Sequence, residues 1–228
     1  MKCAVGGAVL MLAGSVASSA ALASTGDSSV PAAYVHAADA NDVPPRILYA
    51  LALTESGATL STGRHPWPWT LNIHGRGVRY ASRAAACSAL HTALQQTRVV
   101  DVGLGQLNVR WQQRLFGDGQ RFADPCAALN PYANLDAAAG VLARCHSDYP
   151  DSWVAAAGCY HRPAGGAPAQ HYKHAFRGRL ARLSGDTAPV STQTAHKTSN
   201  PTQRHTEQAK RLTWVEPQRR DGGPHGLD

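Results

Sequence analysis

The chain has 228 residues, 43% hydrophobic and 16% charged, which fits one soluble domain with additional segments. Its net charge of +7 and pI near 9.4 favour anionic partners such as nucleic acid, lipid headgroups or an acidic cell-wall polymer. The basic residues stand singly, without the clustered runs and interleaved aromatics of a nucleic-acid groove, and this excludes nucleic acid.

Residues 1–23 read as a secretory signal. Lys2 is the charged start, Val5–Val16 the weakly apolar middle, and Ala21-Leu22-Ala23 a small-x-small cleavage site. The apolar run is too short and too rich in Gly and Ser for a membrane span, and Cys3 lies too early to carry a lipid. Cleavage after Ala23 implies an exported, periplasmic protein without a membrane span.

A polar linker, residues 24–30, precedes a domain expected over 31–184. Pro31–Ala40 forms a helix with Ala33, Ala37 and Ala38 on one side and Tyr34 nearby. Asn41 or Asp42 caps the next helix, which opens on Pro44-Pro45 and closes on Gly57. A polar turn leads to His65-Pro66-Trp67-Pro68-Trp69. Thr70–Ile73 and Val78–Tyr80 flank His74-Gly75-Arg76-Gly77 as a small β-hairpin. Ser82 caps a helix with Ala86, Leu90 and Leu94 on its buried side.

Val99–Val102 is extended and enters Gly103-Leu104-Gly105-Gln106-Leu107-Asn108, where two glycines permit close backbone approach. Val109–Phe116 carries Trp111 and Leu115 at helical spacing, and Asp118–Ala128 is irregular. Asn130-Pro131 starts a helix with Leu135, Ala138, Leu142 and Cys145 on its apolar face. Asp151 caps a helix bearing Trp153, Ala157 and Tyr160. After a Pro163–Pro168 loop, Tyr172, Phe176 and Leu180 mark the last amphipathic helix, with Lys173, Arg177 and Arg179 outside. From about Gly185 to the end at 228 the composition turns polar and basic, too poor in apolar residues to offset its ordering entropy; Trp214-Val215 is its one possible anchor. The domain is therefore mainly α with a small β element and a disordered tail.

Cys87, Cys126, Cys145 and Cys159 remain in the exported chain, an even number that reads as two disulfides with three possible pairings. The alternative is zinc, because Cys145-His146 and Cys159-Tyr160-His161 set imidazoles beside thiols. No C-x-x-C pair supports it, and an oxidising compartment opposes free thiolates.

One residue type is scarce. Glu55 is the only glutamate between residues 24 and 184, and it shares a helical stripe with Leu48 and Leu51. Burying even a neutral polar group without a partner costs roughly 2–7 kcal/mol, so a carboxylate on that stripe needs a reason. A desolvated carboxyl keeps its proton near neutral pH, as an acid that protonates a leaving oxygen must. A helix-terminal Glu facing solvent is the plainer alternative.

Four motifs in order resolve that choice: Thr54-Glu55-Ser56-Gly57; Gly103-Leu104-Gly105-Gln106-Leu107-Asn108; Asn130-Pro131 with Asn134 and Ala139-Gly140; and Ala157-Gly158-Cys159-Tyr160-His161. Over residues 31–180 the chain resembles the lytic murein transglycosylases of the soluble, goose-lysozyme-like type. Within them it looks like the small members that accompany type IV secretion, conjugation and pilus systems. The resemblance implies a lysozyme-like α+β fold and cleavage of the β-1,4 bond between N-acetylmuramic acid and N-acetylglucosamine in peptidoglycan. It also implies Glu55 as sole acid and base and a 1,6-anhydro product. Gln106 and Asn108 match positions lining the sugar groove, with loop stabilisation as their alternative, and Tyr160 matches a tyrosine whose hydroxyl lies near the catalytic carboxylate, with a core tyrosine on the Trp153 face as its alternative. Two departures stand out: Gly105 replaces a frequent Met, and His161, a candidate for substrate binding with a second proton-transfer role as the alternative, stands where Asn is usual.

Other assignments follow from the residues themselves. Ser56 either bonds Glu55 or substrate, or caps the helix. Trp67 and Trp69 either stack on sugars or pack the hairpin. Asp101, the one other acid near a motif, ties down a turn; facing Glu55 across a water, it would instead make the enzyme a goose-type muramidase. A catalytically idle wall-binding or secretion-scaffold module is the non-enzymatic alternative. No cofactor or metal is expected, and the protein is expected to act as a monomer, with envelope-spanning secretion proteins as possible partners.

Overall fold

The computed structural model describes residues 30–184. The expected leader and the polar tail with Trp214 lie outside the described residues. Within them are α1 (Ala32–Asp39), α2 (Pro45–Glu55), α3 (Arg83–Leu94), α4 (Pro131–Asp148), α5 (Trp153–His161) and α6 (Ala167–Leu183). The strands are β1 (Gly57–Leu60), β2 (Gly63–Pro66), β3 (Thr70–Ile73), β4 (Arg76–Arg79), β5 (Val100–Val102) and β6 (Leu107–Asn108). The result is the mainly α, lysozyme-like α+β fold with a small antiparallel sheet.

Helix α2 is the axis of the domain. Every residue from Ile47 through Leu53 is buried, so α2 is apolar all round rather than along a single stripe. It packs against α1 on one side and α6 on the other, and α4 and α5 complete the helical layer. Arg46 donates from Nη2 to the Leu183 carbonyl at 2.6 Å, which ties the start of α2 to the end of α6. The two helices therefore run antiparallel, and the far end of α2 meets the beginning of α6.

The capping chemistry is mostly where the sequence places it. Ser82 accepts from Ala85 N at 3.2 Å, and Asn130 accepts from Tyr132 N and Ala133 N. Helix α5 is capped by Ser152, one residue after the expected Asp151. Helix α2 has Pro44 at its N-cap and no side-chain cap. Asn41, expected in that role, instead donates to Ala37 O and to Asp136 Oδ1 at 2.8 Å, joining α1 to α4. Helix α6 starts at Ala167 and takes Pro168 into its first turn, where a missing N–H is harmless, so the expected loop is shorter.

The β structure is richer than one hairpin. The segment after Gly57, expected as a polar turn, forms the antiparallel pair β1–β2, and β4-β3-β5-β6 form a second sheet. The β3–β4 turn uses only His74 and Gly75, with φ of 49° and 81°, and Arg76 already pairs with Ile73. Positive φ at both turn residues matches the right-handed twist of the strands.

Val109–Phe116 is not a helix. Asn108 Oδ1 accepts from the N–H groups of Arg110 and Trp111, closing a local turn that competes with helix, and Trp111 is 68% exposed. Two disulfides, Cys87–Cys126 and Cys145–Cys159, join α3 to the 3-10 helix Pro125–Leu129 and α4 to α5.

Candidate active site

Glu55 is the last residue of α2, at the point where the buried helix passes into the β1–β2 hairpin. The residue is half-buried, with its carboxyl enclosed by protein. Burial pushes that carboxyl up to about 8 from 4.5; the Tyr172 hydroxyl opposes the shift and the negative charge of Asp101 adds to it. At neutral pH Glu55 therefore carries a proton. It can give that proton to a leaving oxygen and, once ionised, take one back.

Antiparallel packing of α2 and α6 explains the partner. Tyr172 sits in the first turns of α6, beside the end of α2, and is buried. Its hydroxyl lies outside strict hydrogen-bond geometry to any group, yet close enough to Glu55 to favour the ionised carboxylate. Tyr160 of α5 is also buried, and the charge of Glu55 reaches it as well. Burial first, and then Glu55, holds both phenols well above their usual range, so both remain hydroxyl donors.

Opposite the helix end lies the segment 103–106. Gly103 and Gln106 have φ of 80° and 47°, a tight turn that a β-carbon at 103 would block by running into Asn134 Nδ2. Asn134, fully buried on α4, organises this turn. Its Nδ2 donates to Val102 O and Ala128 O, and its Oδ1 accepts from Gly105 N at 2.7 Å. Tyr160 donates to Gly105 O at 2.6 Å. A β-carbon at Gly105 would lie 2.6 Å from Ala138 Cβ and 2.9 Å from the Tyr160 hydroxyl, so this packing has no room for a larger residue there.

Several residues singled out in the sequence have their polar groups engaged within the protein. Ser56 is fully buried and donates to Leu104 O at 2.8 Å and to Ala52 O. It fastens the glycine turn to the end of α2, its hydroxyl engaged by these two backbone carbonyls. Asn108 donates to Asp101 Oδ1 at 2.7 Å across the β5–β6 pair, and its Oδ1 holds the following turn, which leaves its amide engaged inside the protein. Trp67 is 1% exposed and donates to Tyr80 O at 2.7 Å, so its ring packs the hairpin and is closed to sugars.

Others retain an open side. Gln106 is half-buried; its Nε2 donates to Gly103 O at 2.8 Å and Thr70 O at 3.1 Å. Trp69 is half-buried, with an indole N–H that makes no hydrogen bond. His161 is exposed and stacks on the Tyr172 ring at 4.4 Å and 7°; burial of its ring, and then Arg162, keep the imidazole below its usual range and neutral at pH 7.

Three positions escaped the sequence. Tyr172 looks like any core residue at i, i+4, i+8 spacing. Asn134, though inside a motif, gave no sign of its three bonds. Asn72 pairs in register with Asp101, which pairs with Asn108, so these side chains form a polar row on one face of the sheet. The Asn72 Oδ1 acceptor is buried without a partner. The row lies within electrostatic reach of Glu55 through Asp101, itself raised by burial and lowered less by Asn108. As to metal ligands, Cys87, His91 and Cys126 cluster, but both sulfurs are joined in a disulfide and offer no thiolate.

A single candidate acid, two phenols, a backbone turn and a polar sheet row thus come together around the end of α2. No curated protein and no solved structure matches the chain. Residues 33–179, well over half of it, match the family model of the transglycosylase SLT domain, and the protein belongs to that family of peptidoglycan lytic transglycosylases.

Proposed function

We propose that the protein cleaves the β-1,4 bond between N-acetylmuramic acid and N-acetylglucosamine with Glu55 as its only acid and base. One observation carries this reading: the carboxyl at the end of α2 is held protonated, at about 8, by burial at neutral pH. Glu55 gives its proton to the leaving oxygen while the substrate's own N-acetyl group assists at the anomeric carbon. The resulting carboxylate takes the proton of the C6 hydroxyl, O6 closes on the anomeric carbon, and a 1,6-anhydro-muramyl end leaves with Glu55 protonated again. No water is consumed. Tyr172 steadies the ionised intermediate form of Glu55 with its hydroxyl. Gln106, Trp69, His161 and Asn72 line the sugar path, while Ser56, Asn134, Asn108 and Tyr160 hold the backbone that shapes it.

A hydrolytic muramidase is the second reading, favoured by the electrostatic reach of Asp101 to Glu55. The bond from Asn108 to Asp101 Oδ1 supports the positioning role instead. Mass spectrometry of products from purified sacculi separates the two: anhydro ends support the transglycosylase, reducing ends the hydrolase. Equal clearance of sacculi by wild type and Glu55→Gln would leave only a wall-binding module. The biological setting we propose is local opening of the wall for an envelope-spanning secretion, conjugation or pilus apparatus, on the strength of the resemblance to small members with that role. Loss of transfer or pilus assembly on deletion, restored by wild type and not by Glu55→Gln, tests it.

A further inference from the structure

The transglycosylase reading uses none of the arginines, yet four of them gather on a flank that begins at Gly57, beside the site, and runs along the later turns of α6. Arg64 on β2, Arg79 on β4, and Arg179 and Arg182 on α6 come from three separate elements. The positive charges of Arg179, Arg79 and Arg182 all act on Arg64, and that of Arg182 acts on Arg179, so Arg64 is the common neighbour of the other three. Like charges repel, and such a group is retained at a cost unless an anion offsets it. No described carboxylate pairs with any of the four; the ion pair between described residues, Arg121 with Asp136, lies elsewhere. Arg79 donates from Nη2 to Gly57 O at 2.7 Å, two residues from Glu55, while its Nε and that of Arg179 are buried without partners.

The approach is built into the backbone. A β-carbon at Gly57 would run into the Leu53 carbonyl of α2, and the glycine required there also leaves the space that Arg64 fills, its Nε and Nη2 lying 2.6 Å and 2.8 Å from where that β-carbon would be. Arg179 follows Tyr172 by two turns on the same face of α6, which puts it roughly 10 Å along the helix from the tyrosine beside Glu55. Correspondingly, no arginine contributes to the raised carboxyl of Glu55. The cluster is therefore near enough to serve the same substrate and far enough to leave the acid protonated.

Peptidoglycan sugars are themselves uncharged once the lactyl group is amidated, and an N-acetyl group is too short to span that distance. A peptide extends about 3.3–3.6 Å per residue, so a stem peptide on the muramic acid reaches the arginines within about three residues. Its free carboxylates match guanidinium forks in shape and charge. Resting on the transglycosylase reading, we propose that Arg64, Arg79, Arg179 and Arg182 form a subsite for the carboxylates of the peptide stem, which makes stem-bearing strands the preferred substrate.

The test compares intact sacculi with the same glycan strands stripped of stems by an amidase, using the full chain. Wild type should cut stem-bearing strands with the higher kcat/KM, through KM, and the preference should shrink in 0.5 M salt. R64Q/R182Q changes two exposed residues and should reduce the stem-bearing to stem-free ratio about tenfold, with R64K/R182K restoring much of it. An unchanged ratio, including an equal loss on both substrates, overturns the subsite alone. Wild type that cuts neither substrate overturns the transglycosylase reading and the subsite with it.

Discussion

The two flanks of Glu55 differ in how their polar groups are satisfied. On the side of the glycine turn, Ser56, Asn134 and Tyr160 each donate to a backbone carbonyl, and apolar side chains fill the remainder. On the side of β2 and the later turns of α6, guanidinium groups crowd together without a carboxylate. The closed flank removes water from one carboxyl and so sets its proton affinity. The open flank leaves positive charge unanswered, which suits binding and contributes nothing to proton transfer. Proton chemistry and recognition are thus assigned to different residues, and each can be disturbed separately.

The largest effect should come from Glu55 itself. Glu55→Gln should lower the release of muropeptides from sacculi by about 10³-fold, within the range of a lost general acid and base. The same variant should be the more stable protein in alkali. A carboxyl raised from 4.5 to about 8 binds more protons folded than unfolded between those values. Wild type consequently loses stability as the pH rises from about 4.5 to 8 and keeps the full deficit above it. Denaturant midpoints for the two proteins should diverge over that window in favour of glutamine; parallel curves would mean that Glu55 is solvated.

Next in size is the closed flank. Asn134→Ala strands Val102 O, Ala128 O and Gly105 N in the interior and should destabilise by about 3 kcal/mol or more, read as a fall in Tm. Ser56→Ala breaks one tie to Leu104 O and should cost about 1–3 kcal/mol, with activity lost in proportion as the turn loosens from α2. Smallest is Tyr172→Phe. Its hydroxyl lowers the Glu55 pKa, so its removal should raise it, shifting the alkaline limb of the kcat/KM profile to higher pH. An unmoved limb would show that the phenol acts on Glu55 only through packing.

Much of this site was legible one residue at a time. A lone glutamate on a leucine stripe announces desolvation, and paired glycines announce close approach. Ser82, and Asn130 with Pro131, announce helix starts, because each signal acts through neighbours within a few residues. Trp67 shows the limit of such signals: a tryptophan between prolines fits a sugar platform and a buried packing ring equally well, and only the carbonyl of Tyr80 decides. Val109–Phe116 has helical spacing, but the Asn108 side chain captures the N–H groups of Arg110 and Trp111. That competition depends on where β6 ends.

From the chain alone come the acid, the glycine turn, the helical layer and the cysteines, since periodicity, composition and local capping suffice for these. Tertiary structure decided the disulfide partners, the buried sheet row of Asn72, Asp101 and Asn108, and the meeting of Tyr172 with Glu55. It also decided the convergence of arginines from β2, β4 and α6. Each of these joins residues far apart in sequence, and burial and electrostatic coupling depend on distance in space, which no local pattern encodes.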